Sequence, residues 1–452
     1  MYAPTRRTFL RQAACAALGT SGLFNTLLDL RRISAATVPT TDYKALVCLF
    51  LYGGNDANNV IIPHDVTGYN AYAAARGVLA LPRETLLPLT LAAGDGRDFA
   101  FHPNMPELQA LFNAGHLGMV ANVGTLVAPI TRAQYLAGGA AVPQHLFSHS
   151  DQSVQWQTSV PDQPILTGWG GRAADILRAQ NPNSNISLAI SLAGANTFEV
   201  GNTVIPYQVS PTGSIAFTGL TGSSIATTRA QGFQDLLALP RNNLFEQTYG
   251  ATVTRSMTNN DLLTAALASA PPITTIFPSS TLASQLNMVA KLISARTNLN
   301  MNRQLFFCAV QGYDTHGDQL TAHANLLTEL SQAMNSFYNA TVELGVASSV
   351  TTFSASDFGR TFPTNGSGSD HGWGSHQFIM GGAVRGSRLF GAFPTLAVNG
   401  PDDTGQGRWI PTTSVDEFSA TLATWFGVSA TDLPNVLPNI GRFANPNLGF
   451  FA

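Results

Sequence analysis

The chain has 452 residues and is weakly acidic, with a formal net charge of -3 at pH 7 and 11% charged residues. Because lysine and arginine are not in excess, a nucleic acid is not expected as a partner. Apolar residues make up 44% of the sequence, which is enough for a sizeable core. The three cysteines do not form a disulfide framework, since Cys48 and Cys308 lie inside apolar runs that predict buried strands.

The amino-terminal residues have the layout of a removable export signal. Arg6 and Arg7 are followed by Phe9 and Leu10, and then by an apolar stretch without charge. This stretch is too short and too polar for a stable membrane span. We predict a twin-arginine signal at 1–36, with the twin-arginine translocase as the partner during export and a periplasmic or secreted mature protein. An ordinary amphipathic helix is the alternative.

Four runs predict strands of a mostly parallel sheet, and they lie at 45–51, 117–123, 305–310 and 350–355. The run at 45–51 is continuously apolar, which is typical of a strand covered on both faces. A helical pattern at 320–337 links the last two runs, and such crossovers join parallel strands. We therefore predict an α/β domain over 37–452, with a mostly parallel central sheet flanked by helices.

Other segments are assigned by pattern alone. Amphipathic spacing predicts helices at 279–296 and 415–426, and a loop is expected at 433–438. The region 181–275 is predicted to be an insertion or cap, with β-prone pieces at 186–192 and 203–205.

Polar residues follow three of the predicted strands at the point where each strand ends. Asp56 follows the first run, Asp314 the third and Asp357 the fourth. Open α/β sheets place their sites at the carboxyl ends of parallel strands. We therefore expect these three carboxylates to share one rim of the sheet.

Histidines accompany these aspartates and indicate a metal centre. Asp314 and His316 are two residues apart, so their side chains project to the same side of an extended segment. Asp370, His371 and His376 form a second cluster around a loop rich in glycine and serine. Mixed Asp/His sets bind divalent ions such as Zn, Mn, Mg, Ca or Fe. The predicted ligands are Asp56, Asp314, His316, Asp357, His371 and His376.

Three further residues are candidates for chemistry. Ser148 precedes a helical segment, where it either caps the helix in a capping-box-like arrangement with Asp151 or presents a hydroxyl nucleophile. Thr125 is the alternative nucleophile. Arg360 either binds a substrate anion or pairs with Asp357.

These motifs resemble the bacterial domain-of-unknown-function 1501 proteins over nearly the whole mature chain. The matching segments are Phe50 to Asp56, Gly312 to His316, Ser356 to Thr361, and Asn365-Gly366 before Asp370-His371. That family is similar in fold to the alkaline phosphatase and sulfatase superfamily, whose members carry one or two divalent metals and a Ser, Thr or modified Cys nucleophile.

The resemblance implies a role for each matching residue. Asp56 would be the early metal-binding aspartate, Asp314 and His316 the first aspartate-histidine pair, Asp357 the second-metal aspartate, and His371 or His376 the late histidine. Phe358 departs from this pattern, since a histidine ligand normally follows the aspartate at that place. Neither Cys48 nor Cys308 lies in a motif for conversion to formylglycine, which disfavours classical sulfatase chemistry.

Two function classes follow. The first is an exported metal-dependent hydrolase of phosphate or sulfate esters with Ser148 as nucleophile, acting on an anionic ester or polysaccharide. The second is a non-catalytic metal- or glycan-binding protein at the cell surface or in the periplasm. A serine hydrolase without metal is a weaker third hypothesis, since no Gly-x-Ser-x-Gly motif surrounds Ser148.

Overall fold

A computed structural model describes residues 42–92, 98–182, 184–220 and 222–451. The predicted twin-arginine signal at 1–36 lies outside these residues. Within them, no helix combines the length and the apolar character needed to cross a membrane. The strands are β1 (Lys44–Leu51), β2 (Ile61–Pro63), β3 (Leu87–Pro88), β4 (Phe99–Phe101), β5 (Leu117–Gly124), β6 (Ala189–Ser191), β7 (Tyr207–Ser210), β8 (Gly213–Ser214), β9 (Arg303–Val310), β10 (Val350–Ser356), β11 (Ser375–Met380), β12 (Leu389–Phe390) and β13 (Thr413–Ser414).

The helices of the described residues surround these strands. They are α1 (Val66–Arg76), α2 (Pro106–Asn113), α3 (Arg132–Ala137), α4 (His149–Thr158), α5 (Trp169–Leu177), α6 (Ser224–Ala238), α7 (Leu244–Ser269), α8 (Thr281–Ser294), α9 (Gln319–Glu343), α10 (Val415–Phe426) and α11 (Leu433–Val436).

One large sheet dominates the fold, with the strand order β12-β5-β11-β10-β1-β9-β6-β7-β8 and with β13 paired to β5. The central strand β1 pairs in parallel with both β9 and β10, and β6 pairs in parallel with β9. Strand β11 is antiparallel to its neighbours β10 and β5. The predicted α/β fold with a mostly parallel sheet flanked by helices is therefore confirmed.

Strand β1 shows why the predicted strands have no polar alternation. Its successive residues pack alternately into two hydrophobic clusters, one shared with α8 and α9 and the other with α5 and α10. Both faces of the sheet are thus covered, as expected for parallel strands. Cys48 and Cys308 lie in different clusters, so the two thiols remain free. Burial raises the pKa of both thiols.

The crossover from β9 through α9 to β10 brings the site segments together. Strand β1 lies between β9 and β10, so the two strands of the crossover are parallel but not adjacent. Their ends are level, because Leu51 pairs with both Val310 and Ser356. The segments that follow the three strands therefore leave the sheet at one rim, as the sequence predicts.

The region 181–275 contains both sheet strands and helices. The first β-prone piece forms β6, which extends the large sheet together with β7. The second piece, at 203–205, forms no strand, and that prediction is wrong. Its backbone instead donates to a side chain, because Asp175 Oδ1 accepts from the N–H groups of Thr203 and Val204 at 3.0 and 2.7 Å. Helices α6 and α7 follow.

The remaining helix predictions agree with the structure. The pattern at 279–296 corresponds to α8, and the pattern at 415–426 corresponds to α10. Helix α10 begins with a capping box in which Ser414 and Glu417 bond reciprocally to each other's backbone. The loop expected at 433–438 contains the short helix α11. Pro434 is compatible with this helix because it lies in the first turn, where no backbone N–H is required.

Asp416, in the first turn of α10, predicts a pH dependence of stability. Burial raises the pKa of its carboxyl from 3.8 to about 7. Between these values the folded protein keeps a proton that the unfolded chain has released, so the free energy of unfolding falls as pH rises. We expect Asp416→Asn to flatten this fall between about pH 4 and pH 7 in urea denaturation. Asp261→Asn, at an exposed position of α7, is the control. An unchanged slope in Asp416→Asn would contradict the assignment.

Candidate metal centre

The turn after β1 is built from two glycines that let neighbouring segments touch. Gly53 has a φ of +116°, and a Cβ there would lie 2.3 Å from the backbone nitrogen of Asp314. Gly54 has a φ of +85°, and its Cβ would lie 2.6 Å from the ring of Phe358. Any larger residue would force these segments apart. The turn therefore packs directly against the segments that follow β9 and β10.

Four side chains bring their ligand atoms together at this rim. Nε2 of His371 lies 3.0 Å from Nε2 of His149 and 3.0 Å from Nε2 of His316. Oδ1 of Asp314 lies 3.1 Å from Nε2 of His316, and 3.4 Å from Nε2 of both His149 and His371. The tightest group, with all ligand atoms within 4.8 Å of one another, is His149, Asp314 and His371. His316 contacts two members of that group.

The other nitrogen of each imidazole faces a hydrogen-bond acceptor. Nδ1 of His149 lies 2.7 Å from Oδ2 of Asp357, and Nδ1 of His316 lies 3.1 Å from Oδ1 of Asp370. Nδ1 of His371 lies 2.8 Å from the carbonyl oxygen of Phe147. Because carboxylates and carbonyls only accept, each Nδ1 is assigned the hydrogen, and each neutral imidazole presents a lone pair at Nε2.

This tautomer assignment has a direct consequence for the cluster. In their neutral forms the three imidazoles present lone pairs, and Asp314 adds an oxygen, so four acceptors meet without a hydrogen between them. A cation resolves this arrangement, whether it is a metal ion or a proton on His149, whose pKa is raised by its hydrogen bond to Asp357. Imidazole ligands that donate the other N–H to a carboxylate or a carbonyl are the usual arrangement around metals.

The separations also fit a metal ion. Tetrahedral ligands about 2.1 Å from an ion lie about 3.4 Å apart. Five of the six separations among the four atoms, at 3.0 to 3.4 Å, are close to this value, but His316 does not belong to the group whose atoms all lie within 4.8 Å of one another. Imidazole nitrogen with one carboxylate oxygen suits Zn, Mn or Fe better than Ca, which prefers an all-oxygen set. His149, Asp314 and His371 therefore fit one divalent ion, and His316 lies beside them as a candidate fourth ligand.

Local electrostatics follow from these contacts. The hydrogen bond that His149 donates to Asp357 raises the pKa of His149, whereas burial lowers the pKa of His371. Burial would raise the pKa of Asp314, but the hydrogen bond and charge of Arg360 outweigh burial and lower it. Asp314 is therefore a carboxylate at neutral pH, as a metal ligand must be.

The loop that carries His371 is held against the segment after β10. Residues Arg360 and His371 form an antiparallel β-bridge, and Thr361 N–H donates to the carbonyl oxygen of Asp370 at 2.9 Å. On the other side, Phe147 has a φ of +75°, which is uncommon for a residue with a side chain. Its carbonyl oxygen is the acceptor for Nδ1 of His371, so this backbone conformation directly orients one imidazole of the cluster.

Arg360 lies behind Asp314 and does not face the solvent. Its Nη1 donates to Oδ1 of Asp314 at 2.7 Å and to the carbonyl oxygen of Gly53 at 3.2 Å, and its Nη2 donates to the carbonyl oxygen of Ser369. The side chain is fully buried. Of the two predicted roles, pairing with an aspartate is observed, but the partner is Asp314 instead of Asp357.

Asp357 supports the cluster from a second position. Its Oδ2 accepts from Gly53 N–H at 3.1 Å and faces His149, while its Oδ1 is buried without a hydrogen-bond partner among the described residues. Phe358 comes next, with its ring centroid 4.7 Å from the centroids of both His149 and His371. An aromatic ring therefore packs against the cluster where the resemblance expects a ligand.

Two predicted ligands lie outside the cluster. Asp56 is fully buried, and its Oδ2 accepts from Arg76 and from Gln319. His376 lies in β11, where its Nδ1 accepts from the backbone N–H of Asn122 at 3.0 Å and its ring stacks on Phe393. The structure therefore brings Asp314, His316 and His371 together, places Asp357 behind His149, and holds Asp56 and His376 elsewhere.

The hydroxyl groups of both candidate nucleophiles donate hydrogen bonds to other side chains. Ser148 occupies the N-cap position of α4, but its side chain does not cap the helix, so the capping-box-like arrangement is not formed. Its Oγ instead donates to Oδ2 of Asp151 at 2.6 Å, and Asp151 also binds His145 at 2.9 Å. Thr125 is buried and donates to Gln152 Oε1 at 3.2 Å.

Sequence reasoning missed His149. The only indication in the sequence was its position between Ser148 and Asp151, in a polar cluster that was considered because of the Ser148 hydroxyl. Nothing in the local sequence indicates that the start of α4 approaches the segment after β9. That approach depends on the packing of α4 beside β10.

Taken together, the fold and the cluster define an α/β protein with a His/Asp centre at the carboxyl rim of its parallel strands. Residues 43–434 match the model of a family described as Protein of unknown function (DUF1501). The chain belongs to the DUF1501 family. No curated protein matches the sequence.

Several solved structures are similar to the chain over most of its length. The lipoteichoic acid synthase LtaP from Listeria monocytogenes has 7% identity and a TM-score of 0.38, with 91% of this chain and 80% of that chain covered. The PsFucS1 sulfatase from Pseudoalteromonas sp. has 11% identity and a TM-score of 0.36, with 90% and 73% covered. A mutant of the alkaline phosphatase PafA has 11% identity and a TM-score of 0.27, with 71% and 64% covered. With scores this low, the likenesses carry no conclusion about chemistry.

Removing the charge of Asp357 tests the supporting contacts. We expect Asp357→Asn to lower the affinity for Zn²⁺ about 10- to 100-fold, because the Nδ1 hydrogen of His149 loses its charged acceptor. Competition with a chromophoric chelator measures the affinity, and circular dichroism checks the fold. The matched control is Asp235→Asn, at an exposed position of α6. Equal affinities in wild type and Asp357→Asn would show that the contact has no such role.

Proposed function

We propose that this protein binds one divalent metal ion through His149, Asp314, His316 and His371, and that it hydrolyses phosphate or sulfate esters. The observation that carries the proposal is the meeting of three Nε2 lone pairs and one carboxylate oxygen without a hydrogen between them. A bound divalent ion supplies Lewis acidity to an ester oxygen and lowers the pKa of water. We place this activity in the periplasm or outside the cell, on the strength of the predicted signal at 1–36.

The residues around the cluster have distinct positioning tasks in this proposal. Asp357, Asp370 and the carbonyl of Phe147 orient the imidazoles, and Arg360 orients the carboxylate of Asp314. Phe358 shields the imidazoles of His149 and His371 from water on one side. The ester is then bound beside the cluster, in a cavity of about 320 Å³ lined by Tyr52, Gly53, His149, Gln311, Gly312, Asp314 and Asp357.

A second candidate function, metal or glycan binding without catalysis, is favoured by a specific observation. Arg360 gives its N–H groups to protein acceptors, and Ser148 gives its hydroxyl to Asp151. Neither of the two predicted catalytic residues is therefore directed at a substrate. Turnover by the metal-loaded protein distinguishes the two functions.

The metal content of the purified protein tests the proposal first. His149 and His145, which lie in the same segment, provide a test variant and a matched control. We expect zinc-supplied protein to retain one ion per chain after dialysis, and His149→Ala to lower the affinity at least about 100-fold because a ligand is lost. His145→Ala is the control, since His145 is exposed and bonds to Asp151. Elemental analysis gives the stoichiometry. Wild-type protein without Zn, Mn or Fe after supply of each metal would overturn the proposal.

The serine nucleophile remains a prediction from the sequence, and the contacts of Ser148 favour water as the nucleophile. We expect Ser148→Ala to keep its metal and at least about half of the wild-type kcat. An interaction that is not made in the transition state contributes little to kcat. Ser150→Ala, two residues further on, is the control. Activity is measured with para-nitrophenyl esters. A loss of about 100-fold or more in kcat in Ser148→Ala, but not in Ser150→Ala, would identify Ser148 as the nucleophile and exclude water from that role.

A further inference from the structure

The cavity beside the cluster has an unusual charge balance for a site that takes an anion. Among the described residues, its lining contains two carboxylates, from Asp314 and Asp357, and no lysine or arginine. The guanidinium of Arg360 is fully buried and bonded to Asp314, and that of Arg408 donates from Nε to the carbonyl oxygen of His371 at 2.8 Å. The remaining lining residues other than His149 are uncharged.

The charges around a bound ion nearly cancel. Asp314, Asp357 and Asp370 supply three negative charges at or behind the cluster. One divalent ion, Arg360 and Arg408 supply four positive charges, and the imidazoles are neutral when they act as ligands. The rim therefore carries about one positive charge before a substrate arrives, which one negative charge on the ester neutralises.

A rim with one positive charge discriminates between ester classes by their charge. The desolvation cost of an anion rises with the square of its charge, whereas its attraction to a fixed cation rises only in proportion to the charge. A phosphate monoester is a dianion above its second pKa of about 6, while a phosphodiester or a sulfate monoester carries one charge. A second charge on the ester would also face Asp314 and Asp357, and among the described residues no lysine or arginine lines the cavity to offset it.

We infer that this site selects singly charged esters, namely phosphodiesters or sulfate monoesters, over doubly charged phosphate monoesters. This inference rests on the proposed function, whose site it uses. It adds the substrate class and selects Gln311 as a lining position at which the charge preference can be tested. Gln311 is exposed and lines the cavity, and it takes no part in the cluster.

Binding of two matched probes tests the inference without any need for turnover. Phenyl phosphate and methyl phenyl phosphate share the aryl group and differ by one charge at pH 8. We expect calorimetry on the full, zinc-loaded chain to show the singly charged probe binding at least about threefold more tightly, in line with the Coulomb energy of one partly screened charge. Equal or tighter binding of phenyl phosphate, or no binding of either probe, would overturn the inference.

A substitution at Gln311 tests whether charge alone is the cause. Gln311→Lys places an ammonium group at the cavity and is expected to shift the ratio of the two affinities toward phenyl phosphate about threefold. Gln311→Met keeps the length of the side chain without charge and is expected to leave the ratio unchanged. A shift of the same size in both variants, or in neither, would show that charge does not determine the preference.

Turnover separates a failure of this inference from a failure of the proposed function. We expect methyl para-nitrophenyl phosphate to be hydrolysed with a higher kcat/KM than para-nitrophenyl phosphate, which has the same leaving group. Faster hydrolysis of the monoester would contradict the inference while supporting a hydrolase. If zinc is bound and the probe selectivity is seen, but neither nitrophenyl ester nor para-nitrophenyl sulfate is hydrolysed, the hydrolase proposal fails and the charge selectivity stands.

Discussion

The whole centre depends on one repeated interaction, in which an acceptor holds the Nδ1 hydrogen of each imidazole. The three acceptors are Asp357, Asp370 and the carbonyl of Phe147, and they come from separate parts of the chain. Without them, each ring would be free to present either nitrogen. With them, the Nε2 atoms face one another and Asp314. The protein thus orients its ligand atoms before any ion binds, which lowers the entropic cost of binding.

The sequence predicts the scaffold of this centre because few physical rules determine it. Strands buried on both faces lack polar alternation, and this identifies β1 and β9 with nearly their observed bounds. Strand β10 is likewise buried on both faces, although it contains Thr351, Thr352 and Ser354. The helix between β9 and β10 makes those strands parallel. The ends of parallel strands in register share one edge, so Asp314 and Asp357 are expected near each other. Asp314, His316 and His371, which the sequence names as candidate ligands, lie together at this edge, and their role as metal ligands stays a prediction.

What the sequence does not predict is the direction in which each polar side chain turns. Asp56 leaves the same rim as Asp314, yet it faces inward because the packing of α1 brings Arg76 to it. His149 faces the cluster because α4 packs beside β10. Ser148 has Asp151 within reach three residues away, and the hydroxyl bonds to that carboxylate instead of the helix backbone. Each outcome depends on contacts between distant segments, which local spacing and handedness do not contain.

The Arg76–Asp56 pair also bears on the number of ions that the rim takes. A fully buried carboxylate requires a partner of opposite charge, and the family resemblance would assign that role to a metal at Asp56. Here Arg76 supplies the charge, and its Nη1 is bonded to the carbonyl oxygens of Thr361 and Phe362 at 3.1 and 2.9 Å. With Phe358 in place of a further ligand, the remaining donors suffice for one ion. In the proposed function, a single ion largely balanced by the surrounding aspartates leaves about one positive charge for a substrate. For this reason we expect the site to discriminate esters by their charge.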